Sequence, residues 1–493
     1  MMVALSNAAL DALPAGVARP AYDRADLTAG VLHFGVGNFH RAHQAVYLDR
    51  LFALGRDRDW AILGAGVMPG DARMRSALEG QDWLTTVVEQ SAEASAARVT
   101  GAMVAMAPVG DAPAILSALA DPRIRIVSLT VTEGGYFLDA AGRFDPSHPA
   151  IVADGARPEA PATVFGLIAA GLKARRAAGV PAFTVMSCDN IPHSGAAALG
   201  AVAGAARIAD PALADWIEAE VAFPNGMVDR ITPATGERER RALTDAFGVD
   251  DAWPVFCEDF SQWVLEDRFP TGRPRLEDVG VQFASDVTPY ETMKIRILNG
   301  GHAAIAYPAG LMGIDLVHDA MGDPLIRGFL RKLIREEVIP ILPQVPGVDL
   351  VAYAGEIERR FANPKIADQV ARLCHDGAAR QPKFVVPSIA DRLAAGAPVD
   401  GLALASALWC RYCFGETEAG ETIEPNAPDW TDLAARSRAA RGDPAAWLSL
   451  RRVYGDVAAA APFRTAFAAA LKALWTDGVE TTLRRYLDRA GGG

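Results

Sequence analysis

Short apolar runs alternate with helix-type stretches along the first 285 residues of the chain. The apolar runs lie at 29–37, 60–67, 84–89, 125–133 and 182–190, with glycines and prolines between them. Strands that are apolar on both faces, interleaved with helices, are typical of a parallel sheet covered on both sides. The pattern predicts an α/β domain over residues 1–285, built on a doubly wound Rossmann-type sheet.

The pattern changes at about Asp286. Long stretches rich in alanine, leucine and arginine follow, such as PLIRGFLRKLIREEVIPIL (324–342) and PFRTAFAAALKALW (462–475). Few β-branched runs remain, and such stretches are typical of amphipathic helices. The sequence therefore predicts a second, mostly α-helical domain over residues 286–493.

Composition and charge narrow the class of protein. The chain has 493 residues, 51% of them hydrophobic, and a formal net charge of −12. An acidic surface repels phosphate backbones, so no nucleic-acid partner is expected. No apolar run has the ~18–20 residues that a membrane span needs, and the first basic residue, Arg19, comes too late for a signal peptide. Five cysteines are too few for a disulfide framework. A cytoplasmic protein without a membrane partner is expected.

A glycine-rich turn ends the first predicted strand, at 29–37. Its sequence is Gly35-Val36-Gly37-Asn38-Phe39-His40, followed by Arg41. Two glycines at this spacing let the chain turn sharply and approach a dinucleotide pyrophosphate at the start of the next helix. That helix is predicted at 39–54, with Asn38 as its N-cap. His40 replaces the usual third glycine or alanine, so looser packing of strand and helix is expected. An ordinary strand–helix turn is the alternative to an NAD site.

The residue that recognises the adenosine ribose is expected after the second strand. The segment MPGDAR (68–73) offers Asp71, whose negative charge would repel the 2′-phosphate of NADP and favour NAD. Arg73 and Arg75 lie close by and could instead recognise that phosphate.

Two further strands end in polar residues. Thr132 and Glu133 follow one strand, and Ser187-Cys188-Asp189-Asn190 follows the next. Ligands bind at the carboxyl ends of strands in open parallel sheets, which makes these tips candidate site residues. Asp and Asn also form simple turns after strands, and this alternative stays open.

The start of the second domain carries a cluster of polar residues on one helix. With ~100° per residue and Lys294 at zero, Glu291 falls at about 60°, His302 at about 80° and Asn299 at about 140°. These four side chains would share one face and could line an extended substrate. A solvated amphipathic face is the alternative, although Asn-Gly-Gly-His is a poor choice for helix stability alone.

At this point the motifs resemble those of the polyol-specific long-chain dehydrogenase/reductase family. The matching segments follow the family's order along the chain: GVGNFHRAHQ (35–44), SLTVTEGGY (128–136), SCDNIPHSG (187–195), FPNGMVDRITP (223–233) and KIRILNGGH (294–302). Within the family, the third and fourth segments resemble the mannitol-oxidising branch. The resemblance implies a monomeric, metal-independent enzyme that uses NAD to interconvert a polyol, D-mannitol, and its 2-ketose, D-fructose. It also implies a C-terminal domain of the 6-phosphogluconate dehydrogenase C-terminal-like fold.

The resemblance also assigns roles to individual residues. At the reacting carbon it places Lys294 as general base, with Asn190 and Asn299 polarising the reacting oxygen. The other implied roles are substrate binding by His302, Asp229, Arg372 and Arg380, and a proton path bordered by Glu291 and Glu133. The candidates for cofactor binding, residues 35–41, Asp71 and Thr132, come from the glycine turn and the strand ends described above. Arg380 stands where the family usually has lysine.

The assigned chemistry is consistent with the residue types. Oxidation of a secondary alcohol needs a base that takes the hydroxyl proton while hydride leaves to nicotinamide. Lysine has a reference pKa of ~10.4, which burial and nearby cations such as Arg296 or nicotinamide can lower. Two amide donors would stabilise the developing oxyanion by ~3 kcal/mol each.

Other interpretations of the same residues are weaker. Tyr290 and Lys294 also form the Tyr-x-x-x-Lys dyad of short-chain dehydrogenases, but the chain is too long and the glycine spacing differs. His40 and His43 could share a metal ion, although no third ligand lies at helical spacing. Cys410 and Cys413 are expected to be buried thiols on a helix. A non-enzymatic NAD-binding regulator would keep the glycine turn without the Lys294 cluster. The family's other substrates, arabinitol, sorbitol and mannonate, remain alternatives to mannitol.

Overall fold

A computed structural model describes residues 2–139 and 142–489. The chain divides into two compact units, Met1–Val287 and Thr288–Gly493, and each is described by itself.

The strands all lie in the N-terminal unit of the described chain. They are β1 (Val3–Ala4), β2 (Val17–Ala18), β3 (Ala29–Phe34), β4 (Ala61–Ala65), β5 (Thr85–Gln90), β6 (Ser95–Thr100), β7 (Met103–Met106), β8 (Ile126–Leu129), β9 (Thr184–Ser187), β10 (Gly226–Asp229), β11 (Val249–Asp250), β12 (Val255–Glu258), β13 (Gln262–Glu266) and β14 (Gln282–Ala284).

Five of these strands form the predicted parallel sheet. Their order is β7-β4-β3-β8-β9, with β3 at the centre. The chain moves outward from β3 through β4 to β7 and then returns to β8 and β9 on the other side, which is the doubly wound, Rossmann-type arrangement. The Rossmann-type fold is therefore confirmed. All five strands present their carboxyl ends at the same edge.

The expected run at 84–89 is a strand but belongs to a different sheet. This strand, β5, pairs antiparallel with β6 and parallel with β12, in a mixed sheet of order β12-β5-β6-β2. The edge strand β7 takes its place in the parallel sheet. The prediction was wrong here because an apolar run shows that a strand is buried but not which strand it pairs with. Smaller sheets join β10, β13 and β14, and β1 with β11.

Helices cover both faces of the parallel sheet. The α-helices of this unit are α1 (Asn38–Ala42), α2 (Gln44–Ala53), α3 (Asp71–Glu79), α4 (Ala112–Ala120), α5 (Pro149–Ala156), α6 (Val164–Ala178), α7 (Ser194–Ala209), α8 (Pro211–Glu220) and α9 (Glu237–Phe247). The predicted helix at 39–54 is interrupted at His43, whose φ of −120° and ψ of −89° are not helical. One cluster of buried side chains packs under α4, α6, α7 and α8, and another packs under α2 and α3.

The C-terminal unit is helical, as predicted. Its α-helices are α10 (Thr288–Met293), α11 (Gly300–Leu311), α12 (Val317–Gly322), α13 (Pro324–Leu333), α14 (Leu350–Phe361), α15 (Val370–Cys374), α16 (Gly377–Phe384), α17 (Val386–Ala394), α18 (Asp400–Tyr412), α19 (Trp430–Ala440), α20 (Ala445–Leu448), α21 (Arg451–Tyr454) and α22 (Ala461–Asp488).

Two π-helical segments interrupt this regular pattern. The first π segment, Lys294–Asn299, joins α10 to α11, and the second π segment, Ile334–Val338, follows α13. In each, the N–H that follows the segment donates to a carbonyl five residues back: Gly300 to Ile295, and Ile339 to Ile334. Such segments are rare and occur often at functional sites.

Candidate functional site

The glycine turn after β3 has the geometry that a close phosphate approach requires. Gly35 has φ of +91°, and a Cβ there would lie 2.1 Å from the carbonyl oxygen of Thr130. Only glycine fits this position. A Cβ at Gly37 would instead meet no heavy atom closer than 3.7 Å, so open space lies beside the start of α1. Backbone N–H groups at a helix start, next to open space, suit a phosphate.

His40, the departure from the usual fingerprint, is tightly packed. Its ring stacks on the ring of His33 in β3, with centroids 3.5 Å apart and planes 14° apart. Both rings are fully buried. The looser packing expected here was wrong, because the flat imidazole of His33 provides a surface that fits the second ring.

A buried hydrogen-bond chain ties His33, on which His40 stacks, to the glycine turn. Nδ1 of His33 lies 2.7 Å from Oγ of Ser128, and that hydroxyl donates to Oε1 of Gln44 at 3.0 Å. Nε2 of His33 lies 2.9 Å from Oγ1 of Thr130, which donates to the carbonyl of Gly35 at 2.6 Å. Burial lowers the pKa of His33 to about 3, so this ring is neutral. The chain fixes the carbonyl of Gly35 and thereby the turn.

Asn38 has a different role from the predicted N-cap. Gly37 is the capping residue, and Asn38 is the first residue of α1. The Asn38 amide donates to the carbonyl of Pro233 at 3.2 Å, and its oxygen accepts from Arg41 at 2.7 Å. Arg41 also donates to the carbonyl of Trp253. Burial lowers the pKa of Arg41 to about 10. These contacts hold the start of α1 against a distant part of the same unit.

The residues expected at the ribose lie at the start of α3. Asp71 is its first residue and accepts a hydrogen bond from the N–H of Met68 at 3.2 Å. Burial raises the pKa of the Asp71 carboxyl. Arg75 is engaged elsewhere, because it donates to the carbonyl of Met106 and pairs with Glu79 at 2.8 Å. Arg73 is exposed, with its guanidinium 5.6 Å from the ring centroid of Trp253.

At the tips of β8 and β9, Asp189 organises the turn that carries two candidates. Its carboxylate accepts from the N–H groups of Val131 at 3.1 Å and Thr132 at 2.8 Å, and from the hydroxyl of Tyr136 at 2.8 Å. These bonds hold Thr132 at φ of +64°, a strained conformation for threonine. Sequence reasoning treated Asp189 only as part of a polar tip. Its position directly before the candidate Asn190 was the sequence signal that could have indicated a role in the site.

The candidates at these tips are open to solvent. Thr132, Glu133 and Asn190 are all exposed. They follow neighbouring strands, β8 and β9, at the carboxyl edge of the parallel sheet, which also carries the glycine turn. Asp229 is the buried last residue of β10, in a different sheet of the same unit.

In the C-terminal unit, the polar cluster lies on the helix that contains the first π segment. Lys294 begins the segment and Asn299 ends it, with Glu291 one turn before and His302 one turn after. Lys294 and Glu291 are each 6% exposed, so the interpretation as a solvated face is wrong for them. The predicted angles assumed a uniform α-helix, and the wider π turn changes the angle between Lys294 and Asn299.

The structure also explains the two glycines between Asn299 and His302. A Cβ at Gly300 would lie 3.2 Å from the carbonyl oxygen of Phe384, at the end of α16. A Cβ at Gly301 would lie 3.2 Å from the side chain of Leu330. The glycines therefore allow α16 and α13 to approach the end of the first π segment closely.

His302, Arg372 and Arg380 are brought together. The His302 ring stacks on Phe361 with centroids 4.0 Å apart, and its Nε2 has no hydrogen-bond partner among the described residues. Burial, and then the charges of Arg372, Arg360 and Arg380, lower the pKa of His302 well below its ordinary value. His302 is therefore a neutral imidazole with an available nitrogen, near three arginines. Arg372 pairs with Asp368, and Arg380 donates to the carbonyl of Leu373 at 2.9 Å.

The other interpretations receive little support from the geometry. The hydroxyl of Tyr290 donates to the carbonyl of Pro346 at 2.9 Å, and the residue is buried. The helix breaks at His43, so His40 and His43 do not lie at regular helical spacing, and Nε2 of His43 lies 3.0 Å from the carbonyl oxygen of Gln262. Cys410 and Cys413 are free, buried thiols, as predicted.

Neither a metal cluster nor a single membrane-spanning helix is found in the part of the chain that the structure describes. No group of three or more His, Cys, Asp or Glu side chains there is arranged to hold a metal ion. No single helix there is long and apolar enough to span a membrane. One helix pair, Arg451–Ala459 and Ala461–Asp488, bent by 115°, meets the length and composition requirement only when taken together.

Comparison with known families adds an independent line of support. The family model for the mannitol dehydrogenase Rossmann domain matches residues 29–278. The model for the mannitol dehydrogenase C-terminal domain matches residues 286–475.

Individual relatives agree over nearly the whole chain. A mannitol 2-dehydrogenase of Cereibacter sphaeroides is 60% identical over 472 residues, covering 96% of this chain and 99% of its own. A solved structure of Pseudomonas fluorescens mannitol 2-dehydrogenase, a ternary complex with NAD and D-mannitol, is 43% identical and has a TM-score of 0.89. The match covers 99% of this chain and 100% of the Pseudomonas chain. A substrate-free D-sorbitol dehydrogenase structure is 37% identical and has a TM-score of 0.89, and the match covers 97% of this chain and 100% of the sorbitol dehydrogenase chain.

Proposed function

Because the chain belongs to the mannitol dehydrogenase family, we propose that it is an NAD-dependent dehydrogenase that interconverts D-mannitol and D-fructose. The observation that carries the mechanism is the placement of a buried Lys294 and of Asn299 at the two ends of one π segment, with His302 one turn beyond. The relative crystallised with NAD and D-mannitol supports the choice of cofactor and substrate.

The glycine turn of the N-terminal unit fits a dinucleotide. Gly35 supplies the sharp turn, and Gly37 leaves open space beside the N–H groups that begin α1. Asp71 stands at the start of α3, where a carboxylate would hold ribose hydroxyls and oppose a 2′-phosphate. Residues 35–41, Asp71 and Thr132 are the proposed NAD contacts. Bound NAD would supply the hydride acceptor.

The protein's own residues would handle the proton and the charge on oxygen. In alcohol oxidation, the hydrogen on the carbinol carbon leaves as hydride, and the neutral amine of Lys294 takes the hydroxyl proton. The amides of Asn190 and Asn299 would donate to the oxygen as it gains negative charge. In ketone reduction, the Lys294 ammonium returns the proton to the oxygen. One group therefore acts as base in one direction and acid in the other.

The remaining candidates would bind the rest of the polyol and connect the lysine to solvent. His302, held neutral by burial and by its arginine neighbours, can exchange hydrogen bonds with hydroxyls. Asp229, Arg372 and Arg380 would bind the distal hydroxyls. Glu291, one helical turn before Lys294, and the exposed Glu133 would carry the released proton to solvent.

We also propose that the enzyme needs no metal and works as a monomer in the cytoplasm. The five cysteines are all free thiols, which suits a reducing compartment. Lys294 supplies the base that a metal-bound hydroxide would otherwise provide.

The decisive experiment is substitution of Lys294. Lys294→Ala should remove most turnover in both directions while NADH binding, measured by fluorescence titration, stays within about twofold, because the cofactor contacts lie in the N-terminal unit. Loss of a group that acts mainly in the transition state lowers kcat and kcat/KM together. Tyr290→Phe is the matched control and should retain most activity. An inactive Tyr290→Phe beside an active Lys294→Ala would favour the short-chain mechanism instead.

The pH dependence of the parent enzyme gives a second test. Oxidation should fall at low pH, where Lys294 is protonated, and reduction should fall at high pH, where it cannot donate a proton. Initial rates in both directions across pH would show these opposite limbs. A panel of mannitol, sorbitol, arabitol and mannonate would identify the substrate, and the highest kcat/KM with a polyol other than mannitol would reject that part of the proposal.

A further inference from the structure

The first π segment changes which side chains share a face of the helix. In a uniform α-helix at ~100° per residue, Lys294 and Asn299 would be about 140° apart. A π-helix closes with i→i+5 hydrogen bonds and has about 4.4 residues per turn, or about 82° per residue. Lys294 and Asn299, five residues apart, therefore lie about 50° apart around the axis instead of about 140°, on the same side of the helix. The π geometry brings the proposed base and one oxyanion donor to the same face.

A π segment needs support, because its geometry is less favourable than that of an α-helix and such segments are rare. Here the support comes from Arg296, in the middle of the segment. Its Nη1 donates to Oγ of Ser388 at 2.8 Å, and its Nη2 donates to Oδ2 of Asp391 at 2.9 Å. Both partners lie on α17, and Ser388 is fully buried. The planar fork of the guanidinium makes two bonds with fixed geometry, which a lysine could not reproduce.

The same helix, α17, also contacts the second π segment. Nη1 of Arg392 donates to the carbonyl of Glu336, within that segment, at 3.1 Å, and its Nε donates to the carbonyl of Pro398 at 2.9 Å. The two π segments also lie against each other. One helix thus supplies hydrogen bonds to both irregular segments.

We propose that Arg296, Ser388 and Asp391 are positioning residues of the dehydrogenase: they anchor the first π segment to α17 and so keep Lys294 and Asn299 on one face. The role of Arg296 is then mechanical. Its charge is paired with the carboxylate of Asp391 on α17. This inference rests on the proposed function of Lys294.

The test uses single substitutions of Arg296, Ser388 and Asp391, which together are called the anchor. Ser388→Ala and Asp391→Asn should each lower kcat about tenfold, and Arg296→Met about a hundredfold, since misplacing a catalytic group by ~1 Å can cost ~10²-fold in rate. KM for NADH should stay within twofold. Asp391→Glu, which keeps the carboxylate, should retain at least half of the parent kcat. The matched control is Asp432→Asn, which breaks the Arg436–Asp432 pair at a similar exposure, 52% against 51%, and should leave kcat unchanged.

A comparison in two backgrounds separates positioning from general stability. In a background that carries both Lys294→Ala and Asn299→Ala, Ser388→Ala should change the residual rate by less than twofold, because both groups that it positions are gone. Equal losses in both backgrounds, or full kcat in the anchor variants, would overturn the inference. These outcomes differ from failure of the proposed function, which would show as an active Lys294→Ala single variant.

Discussion

The glycine turn after β3 offers a pair of substitutions with opposite expected effects. Gly37→Ala should weaken NADH binding without harming the fold. The φ of Gly37 is −102°, which alanine adopts, and a methyl group there would meet no protein atom closer than 3.7 Å. Restricting the unfolded chain can even stabilise such a variant by up to ~1 kcal/mol. The methyl group would instead occupy the space beside the start of α1 that the pyrophosphate needs.

The size of the effect follows from the hydrogen bonds at stake. One hydrogen bond between a backbone N–H and a charged group is worth about 1.5–3 kcal/mol. At 1.4 kcal/mol per factor of ten, its loss raises the Kd for NADH by about 10- to 100-fold. Fluorescence titration with NADH measures this Kd, and thermal unfolding followed by circular dichroism measures stability.

Gly35→Ala should fail in the other way. A left-handed φ of +91° costs alanine about 1–2 kcal/mol, and its Cβ would lie 2.1 Å from the carbonyl of Thr130, so the backbone itself must move. This variant should lose stability as well as NADH affinity. Gly200→Ala, in open space on α7, is the control and should bind NADH like the parent. A Gly37→Ala variant with an unchanged Kd would refute the proposed pyrophosphate position.

Four further outcomes are expected. Asn190→Ala and Asn299→Ala should each lower kcat by roughly 10²–10³, and losses under threefold in steady-state assays would assign them other roles. The kcat/KM should be higher with NAD than with NADP, because the Asp71 carboxylate would repel the 2′-phosphate. Equal values with the two cofactors would contradict the predicted preference for NAD. Prolonged treatment with EDTA or phenanthroline should leave activity unchanged, whereas loss restored by zinc would contradict the mechanism. His33 has a pKa of about 3 in the folded protein, against about 6.5 in the unfolded chain, so between these values the folded state binds fewer protons. Its contribution to stability is therefore present above about pH 6.5 and is lost as the pH falls toward 3. Urea unfolding at pH 7 and pH 5 should show this loss, by up to ~1.4 kcal/mol per pH unit, and His33→Gln should reduce it.

The order of strands shows how far hydrophobic pattern alone leads. The pattern was sufficient for β3, β4, β8 and β9, because each is a buried run followed by a helix. It failed for β5, which is also a largely buried strand but pairs with β6 and β12. Strand pairing depends on contacts between residues far apart in sequence. The composition of one strand therefore does not predict which strand it pairs with. The short edge strand β7 was missed because its run, MVAM, is hardly distinct from its surroundings.

The roles of polar residues were harder to predict than their location. The glycine turn and the strand tips were identified from sequence, since glycine and polar residues after an apolar strand are local signals. That His33 would receive the ring of His40, or that Asp189 would hold Thr132 at a positive φ, depends on neighbours brought together by the sheet. Sequence reasoning therefore found candidate residues but gave Asn38 and His40 the wrong local role.

The first π segment is the clearest case of a feature that sequence periodicity cannot show. A helical angle calculation assumes ~100° per residue at every step, and KIRILN contains no proline or glycine to signal a departure. The departure is fixed from outside, by Arg296 bonding to α17 and by the close approach of Phe384 to Gly300. An irregular turn costs stability compared with a regular helix, so its presence between a buried lysine and an asparagine suits a catalytic arrangement better than a purely structural one. For this reason the spacing of five between Lys294 and Asn299, and not only the identity of the two residues, belongs to the proposed mechanism.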